Sequence, residues 1–225
     1  MQQRTLLALT IAVLLSLASM ATLAAGVGEV LLLKGSATRE AGDGTRTRLA
    51  RGDRVFEQDL LETADRSLLA LRFDDETRFN LGPRTQFRVD QVSDGDDGLF
   101  SAEVLKGAFR FVTGLIAKRR AGAMRVKTGV VATIGIRGTT VGGEVVGESA
   151  TIVLLESEDA DTPSAIEVGN AYGSVLIEQP GYGTRVPDAH SPPSPPARMT
   201  LRTIENLVRN INNIQRIAVP RPRMP

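Results

Sequence analysis

The 225-residue chain contains no cysteine, no tryptophan and only one histidine. Without cysteine it can form no disulfide, no thiolate metal site and no cysteine nucleophile. With His190 alone, a two-histidine zinc site, a haem site or a histidine-based catalytic triad is not expected. Aromatic residues make up 4% of the chain and are not interleaved with basic residues, so we expect no nucleic-acid partner. We also expect no cofactor and no metal.

A hydrophobic run near the amino terminus predicts an export signal. It follows Arg4, and residues 6–18 have the length of the apolar region of a secretory signal. The run ends in small residues, so we predict a signal peptide over residues 1–24, cut after Ala24, with Ala25 as the second choice. The alternative is an uncleaved anchor, because the whole run is nearly long enough to span a bilayer. The expected location is periplasmic or secreted.

From residue 26 to residue 186 the pattern is that of a β domain. Short apolar or alternating stretches recur between turn residues, and no segment keeps a helical period. Strands are predicted at residues 30–33, 60–63, 67–73, 77–81, 86–92, 99–112, 151–155, 165–168 and 174–177. The predicted fold class is all-β, with short strands in two packed or coiled, solenoid-like sheets and a C-terminal amphipathic helix. The likeness of residues 29–37 to residues 103–109 fits a coiled repeat or a chance similarity.

The most distinctive stretch is residues 123–143, which alternates apolar with small or polar residues as a strand does and carries an arginine inside an apolar run. A cation there needs hydrogen-bond acceptors, because an unpaired buried charge costs several kcal/mol. The following Gly138 permits a turn or bulge that other residues resist. Arg137 therefore either bonds backbone carbonyls of neighbouring turns or contacts a partner, and the structural role is the favoured interpretation.

This stretch and the motifs before it resemble the FecR domain family. In order, they are L-A-R-G-D at 49–53, L-L-E-T at 60–63, the hairpin of 67–81, L-K-G-A-F-R-F at 105–111 and the closing V-K-T and I-G-I-R-G-T. Glu76 replaces the family's usual turn glycine. The signature residues, expected to be structural, are Thr128, Ile134, Ile136, Arg137, Gly138 and Thr139.

The family takes its name from periplasmic regulators that relay the occupancy of an outer-membrane siderophore receptor to a cytoplasmic sigma factor. This chain is expected to lack their cytoplasmic sigma-binding and secretin/TonB-like domains. The resemblance therefore implies a stand-alone exported module, not an enzyme, that binds or relays signals at the cell envelope through a protein partner. The alternative is a structural or adhesive envelope protein that binds cell-wall or surface polysaccharide.

Three charged clusters allow other hypotheses. The acidic residues 74–76 could include a pair of glycosidase carboxylates, but a solvated turn is favoured. The acidic loop 94–98 could bind calcium, although it lacks the bidentate glutamate of an EF-hand and is predicted to be a hairpin turn. The basic run 118–120 could contact lipid head groups or polysaccharide, but an exposed loop between strands is favoured.

The composition changes after the β domain. Residues 187–198 are predicted to form a Pro-rich linker, residues 199–218 an amphipathic helix and residues 219–225 a tail. The helix is a candidate for docking on a partner or on a membrane surface, and it could instead cover an open edge of its own domain. Its apolar face comprises Leu201, Ile204, Leu207, Val208, Ile211 and Ile214.

Overall fold

A computed structural model describes residues 25–95, 97–129, 131–156 and 164–200, with the backbone alone for residues 137 and 156. This part of the chain forms seventeen strands and one short helix, α1, at Leu115–Arg119. The strands of the first half are β1 Gly28–Lys34, β2 Ala37–Glu40, β3 Arg46–Arg48, β4 Arg54–Val55, β5 Leu60–Thr63, β6 Leu68–Phe73, β7 Arg78–Leu81, β8 Gln86–Ser93 and β9 Leu99–Val112. Those of the second half are β10 Met124–Thr128, β11 Ala132–Arg137, β12 Thr140–Val146, β13 Ser149–Glu156, β14 Ala165–Asn170, β15 Gly173–Ile177, β16 Tyr182–Val186 and β17 Ala197–Arg198. The all-β prediction is confirmed.

The strands build two sheets that share one long strand. Sheet 1 has the order β4-β1-β6-β7-β9-β12-β13-β16-β17. Sheet 2 has the order β3-β2-β5-β8-β9-β10-β11-β14-β15. All described neighbours are antiparallel except β9 and β10. Successive hairpins mostly alternate between the sheets, so the chain coils around a common core.

Strand β9 crosses from sheet 2 to sheet 1 at Gly107. Before this residue the strand buries Phe100, Ala102 and Val104, which are even-numbered, and after it Phe109 and Phe111, which are odd-numbered. Because successive side chains of a strand point to opposite faces, the change of parity turns the second half of β9 to face the core from the other sheet. Gly107 allows this through a φ of 95°.

The core between the sheets is dominated by phenylalanine. The ring of Phe73 in sheet 1 lies 4.9 Å from that of Phe100 in sheet 2, edge to face. The rings of Phe79 and Phe87 are 4.8 Å apart across the same interface. Each of these side chains is fully buried, and aromatic pairs at such spacing add to the stabilisation from buried area.

All nine predicted strands correspond to observed ones, whereas several short elements were not predicted. Strands β10, β11 and the start of β12 lie in the alternating stretch 123–143, and the missed elements are β2, β3, β4, β16, β17 and helix α1. Most of the missed strands have only two to five residues, which is too short for an alternating pattern to stand out.

The Pro-rich segment lies against the β domain. Ser194 donates its backbone N–H to the carbonyl of Arg185 (2.8 Å), and the hydroxyl of Thr184 donates to the carbonyl of Ser194 (2.7 Å). Beyond it, β17 pairs with β16, and Met199 donates to the carbonyl of Gly181 (2.8 Å). The hydrogen-bonded body therefore continues to Met199. Within the described ranges, no helix has both the length and the apolar character needed to cross a membrane.

Candidate functional site

The signature stretch forms the central strands of the second half of the sandwich. Strand β10 runs parallel to β9, with Thr128 opposite Val104, and pairs on its other side with β11. Thr128 is fully buried, and its hydroxyl donates to the carbonyl of Ala132 (3.1 Å), which closes the β10–β11 connection. Ile134 and Ile136 point from β11 into the core. These three residues thus occupy interior positions.

The R-G-T turn is the place where the chain passes from sheet 2 to sheet 1. Arg137 ends β11 opposite Ala165, and Gly138 follows with a φ of 46°, in the left-handed region that favours glycine. Thr139 is fully buried: its N–H donates to the hydroxyl of Thr113 (2.8 Å), and its carbonyl accepts from the N–H of Thr113 (3.1 Å). The turn is thereby held to the end of β9.

A buried set of hydrogen bonds, here called the signature network, links this turn to the β6–β7 turn. The hydroxyl of Thr77 accepts from the N–H of Gly114 (3.0 Å) and donates to one carboxylate oxygen of Asp75 (2.8 Å). The other carboxylate oxygen of Asp75 accepts from the N–H of Thr77 (3.0 Å). Gly114 adjoins Thr113, so the network ties two sequence motifs that are about sixty residues apart to one end of the sandwich.

Sequence reasoning missed the members of this network other than Thr139. Asp75, Thr77 and Thr113 are all buried polar residues, and buried polar groups need partners. The available signal was the short D-E-T motif at 75–77, where an aspartate two residues before a threonine can bond that residue's N–H. Its distant partner at Gly114 leaves no local pattern in the sequence.

The acidic turn 74–76 does not present a free pair of carboxylates. Asp74 is exposed and forms an ion pair with Arg54 (2.8 Å), whereas Asp75 is buried and bonded to Thr77. The turn borders a surface cleft of about 320 Å³ that also holds the Arg72–Glu29 ion pair (2.5 Å). The local charges are therefore largely paired with one another.

The acidic loop and the basic run, considered separately in the sequence, contact each other. Arg119 donates to the Asp94 carboxylate (2.8 Å), and Arg120 donates to the carbonyl of Gly98 (3.2 Å). The Gly95 N–H, and then Arg119, hold the pKa of Asp94 below its usual value. The expected loop at 118–120 is wrong in part, because Lys118 and Arg119 lie in the last turn of α1. No group of three or more His, Cys, Asp or Glu in the described ranges could hold a metal ion.

The candidate docking residues Leu201, Ile204, Leu207, Val208, Ile211 and Ile214 lie outside the described residues. The side chain of Arg137 is likewise not described, so its role stays a prediction. The structure brings Thr139 together with Thr113 and the β6–β7 turn, whereas Thr128 lies at the opposite end of β11, beside Ala132.

Comparison with known proteins agrees with this reading of the signature. The model of the FecR protein family matches residues 59–158, from the start of β5 to just past β13. The FecR resemblance predicted from the motifs is therefore confirmed over residues 59–158. The match contains the whole signature network.

Solved structures show the same fold. Two crystal structures of a proposed anti-sigma factor from Parabacteroides distasonis, at 1.65 and 2.50 Å, each superpose with a TM-score of 0.52 and 12% identity. Each match covers 66% of this chain and 64% or 63% of that protein. This chain thus spans less than two thirds of the length of these neighbours. Among curated proteins no match was found.

Proposed function

We propose that this protein is an exported FecR-type module that relays a signal at the cell envelope by binding protein partners, without catalysis of its own. The observation that carries the proposal is the FecR family match over residues 59–158. The fold shared with a proposed anti-sigma factor supports the relay role, because such factors act by binding other proteins. A relay needs a rigid body and a contact surface, and the coiled sandwich supplies the rigid body.

Export rests on the amino-terminal sequence. The apolar run and the small residues at Ala24 favour cleavage there. The domain's first hydrogen bonds support the same boundary, since Val27 donates to the carbonyl of Val55 (2.8 Å) and β1 begins at Gly28. Mass spectrometry of the protein from the envelope fraction is expected to find Ala25 as the first residue. A first residue at Met1 would contradict cleavage.

The partner contact is tested by cross-linking in cells followed by mass spectrometry. The full chain is compared with a chain that ends after Thr200, which keeps β17 and the Met199–Gly181 hydrogen bond intact. A discrete protein captured by the full chain and lost on truncation assigns the contact to residues 201–225. A protein captured by both assigns it to the β domain. Capture of no specific protein by either chain contradicts the relay proposal and favours polysaccharide binding, which a peptidoglycan pull-down would then measure.

A substitution of Arg137 distinguishes between a structural role of this arginine and a role in contacting a partner. Replacing it as Arg137→Gln removes the charge and keeps a polar side chain of similar reach. A structural arginine predicts lower stability in urea, with partner capture per folded molecule unchanged. A contact arginine predicts the reverse: normal stability and lost capture. The exposed Arg84, at a different turn, provides a matched control as Arg84→Gln.

A further inference from the structure

Strand β15 is an unusual edge of this sandwich. Of the four edge strands in the described part of the chain, β3, β4 and β17 have only two or three residues, and β3 carries two arginines. Strand β15 has five residues, no charged side chain and a single neighbour, β14. Short strands and charges protect a sheet edge from pairing with other chains. Strand β15 has neither protection, so something is expected to cover it.

The same edge exposes apolar surface. Leu176 on β15 is 56% exposed, and Tyr172 just before the strand is 54% exposed. Beside Leu176, a cleft of about 260 Å³ opens between β15 and the β16–β17 pair. The cleft is lined by Leu176, Ile177, Glu178, Gln179, Tyr182 and Pro196. We call this cleft, together with strand β15, the β15 edge.

Unpaired negative charge borders the edge. Glu167, opposite Leu176 in the register, and Glu178, just after the strand, are both exposed. Neither forms an ion pair within the described ranges. The occupant of the edge should therefore combine apolar residues with positive charge.

The chain itself supplies such a segment at this position. Met199 is held to Gly181, the neighbour of Tyr182 in the cleft, so residues 201–225 start beside the β15 edge. They carry five arginines and one glutamate. Residues 201–214, if helical as their spacing predicts, would span about 21 Å, against about 17 Å for the five residues of β15.

We infer that the apolar residues of the segment 201–214 pack on the β15 edge of the same molecule, with arginines of the segment near Glu167 and Glu178. The segment covers the open edge and shields Leu176 from water. This inference does not depend on the proposed function, since it concerns the isolated protein.

The absence of native cysteine allows a direct test by disulfide formation. Leu176→Cys is combined, in the full chain, with a second cysteine at Leu201, Ile204 or Leu207, one pair at a time. The matched control places the first cysteine at Val146, which is similarly exposed (62%) on the β12–β13 hairpin. Mild oxidation at low micromolar protein concentration is followed by peptide mass spectrometry.

At least one Leu176→Cys pair is expected to form an intramolecular disulfide several times faster than its Val146→Cys counterpart, because cross-linking needs Cα atoms within about 7 Å. Equal rates for the two series would overturn the inference. Predominant disulfides between two molecules would also overturn it and would assign the β15 edge to a second copy of the chain.

Hydrogen exchange provides a measurement without new cysteines. In a chain that ends after Thr200, the amides of β15 are expected to exchange at least several times faster than in the full chain. Strand β3, an edge strand of the first half of the chain, should exchange at the same rate in both and serves as the internal control. Unchanged exchange in β15 would mean that residues 201–225 leave the edge open.

Discussion

Gly107 and Thr85 touch where β9 crosses between the sheets. A Cβ on Gly107 would lie 2.4 Å from the hydroxyl oxygen of Thr85 and 2.6 Å from its Cα. The same hydroxyl donates to the carbonyl of Ala108 (3.1 Å), so Thr85 cannot withdraw without losing a buried hydrogen bond. Gly35, at the crossing from β1 to β2, has the same relation to Ser67, with a Cβ contact of 2.3 Å. The faint sequence echo between these two stretches thus coincides with two similar crossings.

Replacing Gly107 by alanine is expected to destabilise the domain strongly. The left-handed φ and the clash with the Thr85 backbone together predict a loss of about 2–4 kcal/mol in the free energy of unfolding. Gly52 provides the control, because it has a φ of 89° with nothing within 4 Å of a built Cβ. Gly52→Ala should cost only the backbone strain of about 1–2 kcal/mol. Equal losses in urea denaturation would show that the contact with Thr85 contributes nothing.

Replacing Glu76 by glycine is expected to stabilise the domain, in contrast to the substitution of Gly107. It has a φ of 69°, and it stands where the FecR pattern has a turn glycine. Glu76→Gly is therefore expected to raise the free energy of unfolding by about 0.5–1 kcal/mol, since relief of left-handed strain exceeds the entropy that glycine adds to the unfolded chain. Glu148 is exposed without a positive φ, so Glu148→Gly should be neutral or destabilising. Urea denaturation of both variants measures the difference, and destabilisation by Glu76→Gly would refute the prediction.

The signature network predicts a specific role for the Thr77 hydroxyl. Thr77→Val keeps the shape but leaves the Gly114 N–H unpaired and deprives the buried Asp75 carboxylate of one donor. A loss of roughly 2–3 kcal/mol is expected. Thr77→Ser keeps the hydroxyl and should recover most of it. Thr47→Val, at an exposed site in β3, should stay within about 0.5 kcal/mol of the native chain.

The ionisation of Asp59 is expected to contribute to the pH dependence of stability. This carboxylate is buried, and its Oδ2 accepts from the N–H of Phe56 (2.8 Å) and lies 3.8 Å from Nε of Arg39. Burial raises the pKa of Asp59 above its usual value of 3.8, against the smaller lowering effects of the Phe56 N–H and Arg39. The folded state therefore binds a proton more tightly than the unfolded state, and this contribution to stability is present below pH 3.8 and is lost as pH rises through the folded pKa.

Asp59→Asn removes this ionisation. The free energy of unfolding of the native chain, minus that of the variant, is expected to fall as pH rises above 3.8. Asp43→Asn is a control in which the same difference should change in the opposite direction with pH. The backbone N–H of Thr45 lowers the pKa of Asp43, so the contribution of this carboxylate to stability is lost as pH falls. Urea denaturation from pH 3.5 to 7 measures both differences. A difference for Asp59→Asn that stays flat or rises with pH would contradict the assignment.

Local patterns in the sequence were sufficient for much of the fold and for the family. The alternation of apolar and polar residues predicted the long strands, because a half-buried strand shows this alternation regardless of which strand it pairs with. The turn at Gly138 could be predicted because a left-handed backbone conformation favours glycine, which is visible in the sequence. The crossing at Gly107 could have been found in the same way, from the change of parity along β9.

The signature network and the β15 edge depend on residues that are distant in sequence. Thr77 accepts the hydrogen bond from Gly114 only because the fold brings the β6–β7 turn next to the end of β9. Arg119 bonds Asp94 only because α1 packs beside the acidic loop. Leu176 looks like any strand leucine until the sheet order leaves β15 with one neighbour. The sequence by itself determined the strands, the glycine turns and the FecR resemblance, because these are set by neighbours along the chain. The tertiary structure alone decided which polar groups are paired and which edge is open, because hydrogen-bond partners and burial depend on how distant segments meet.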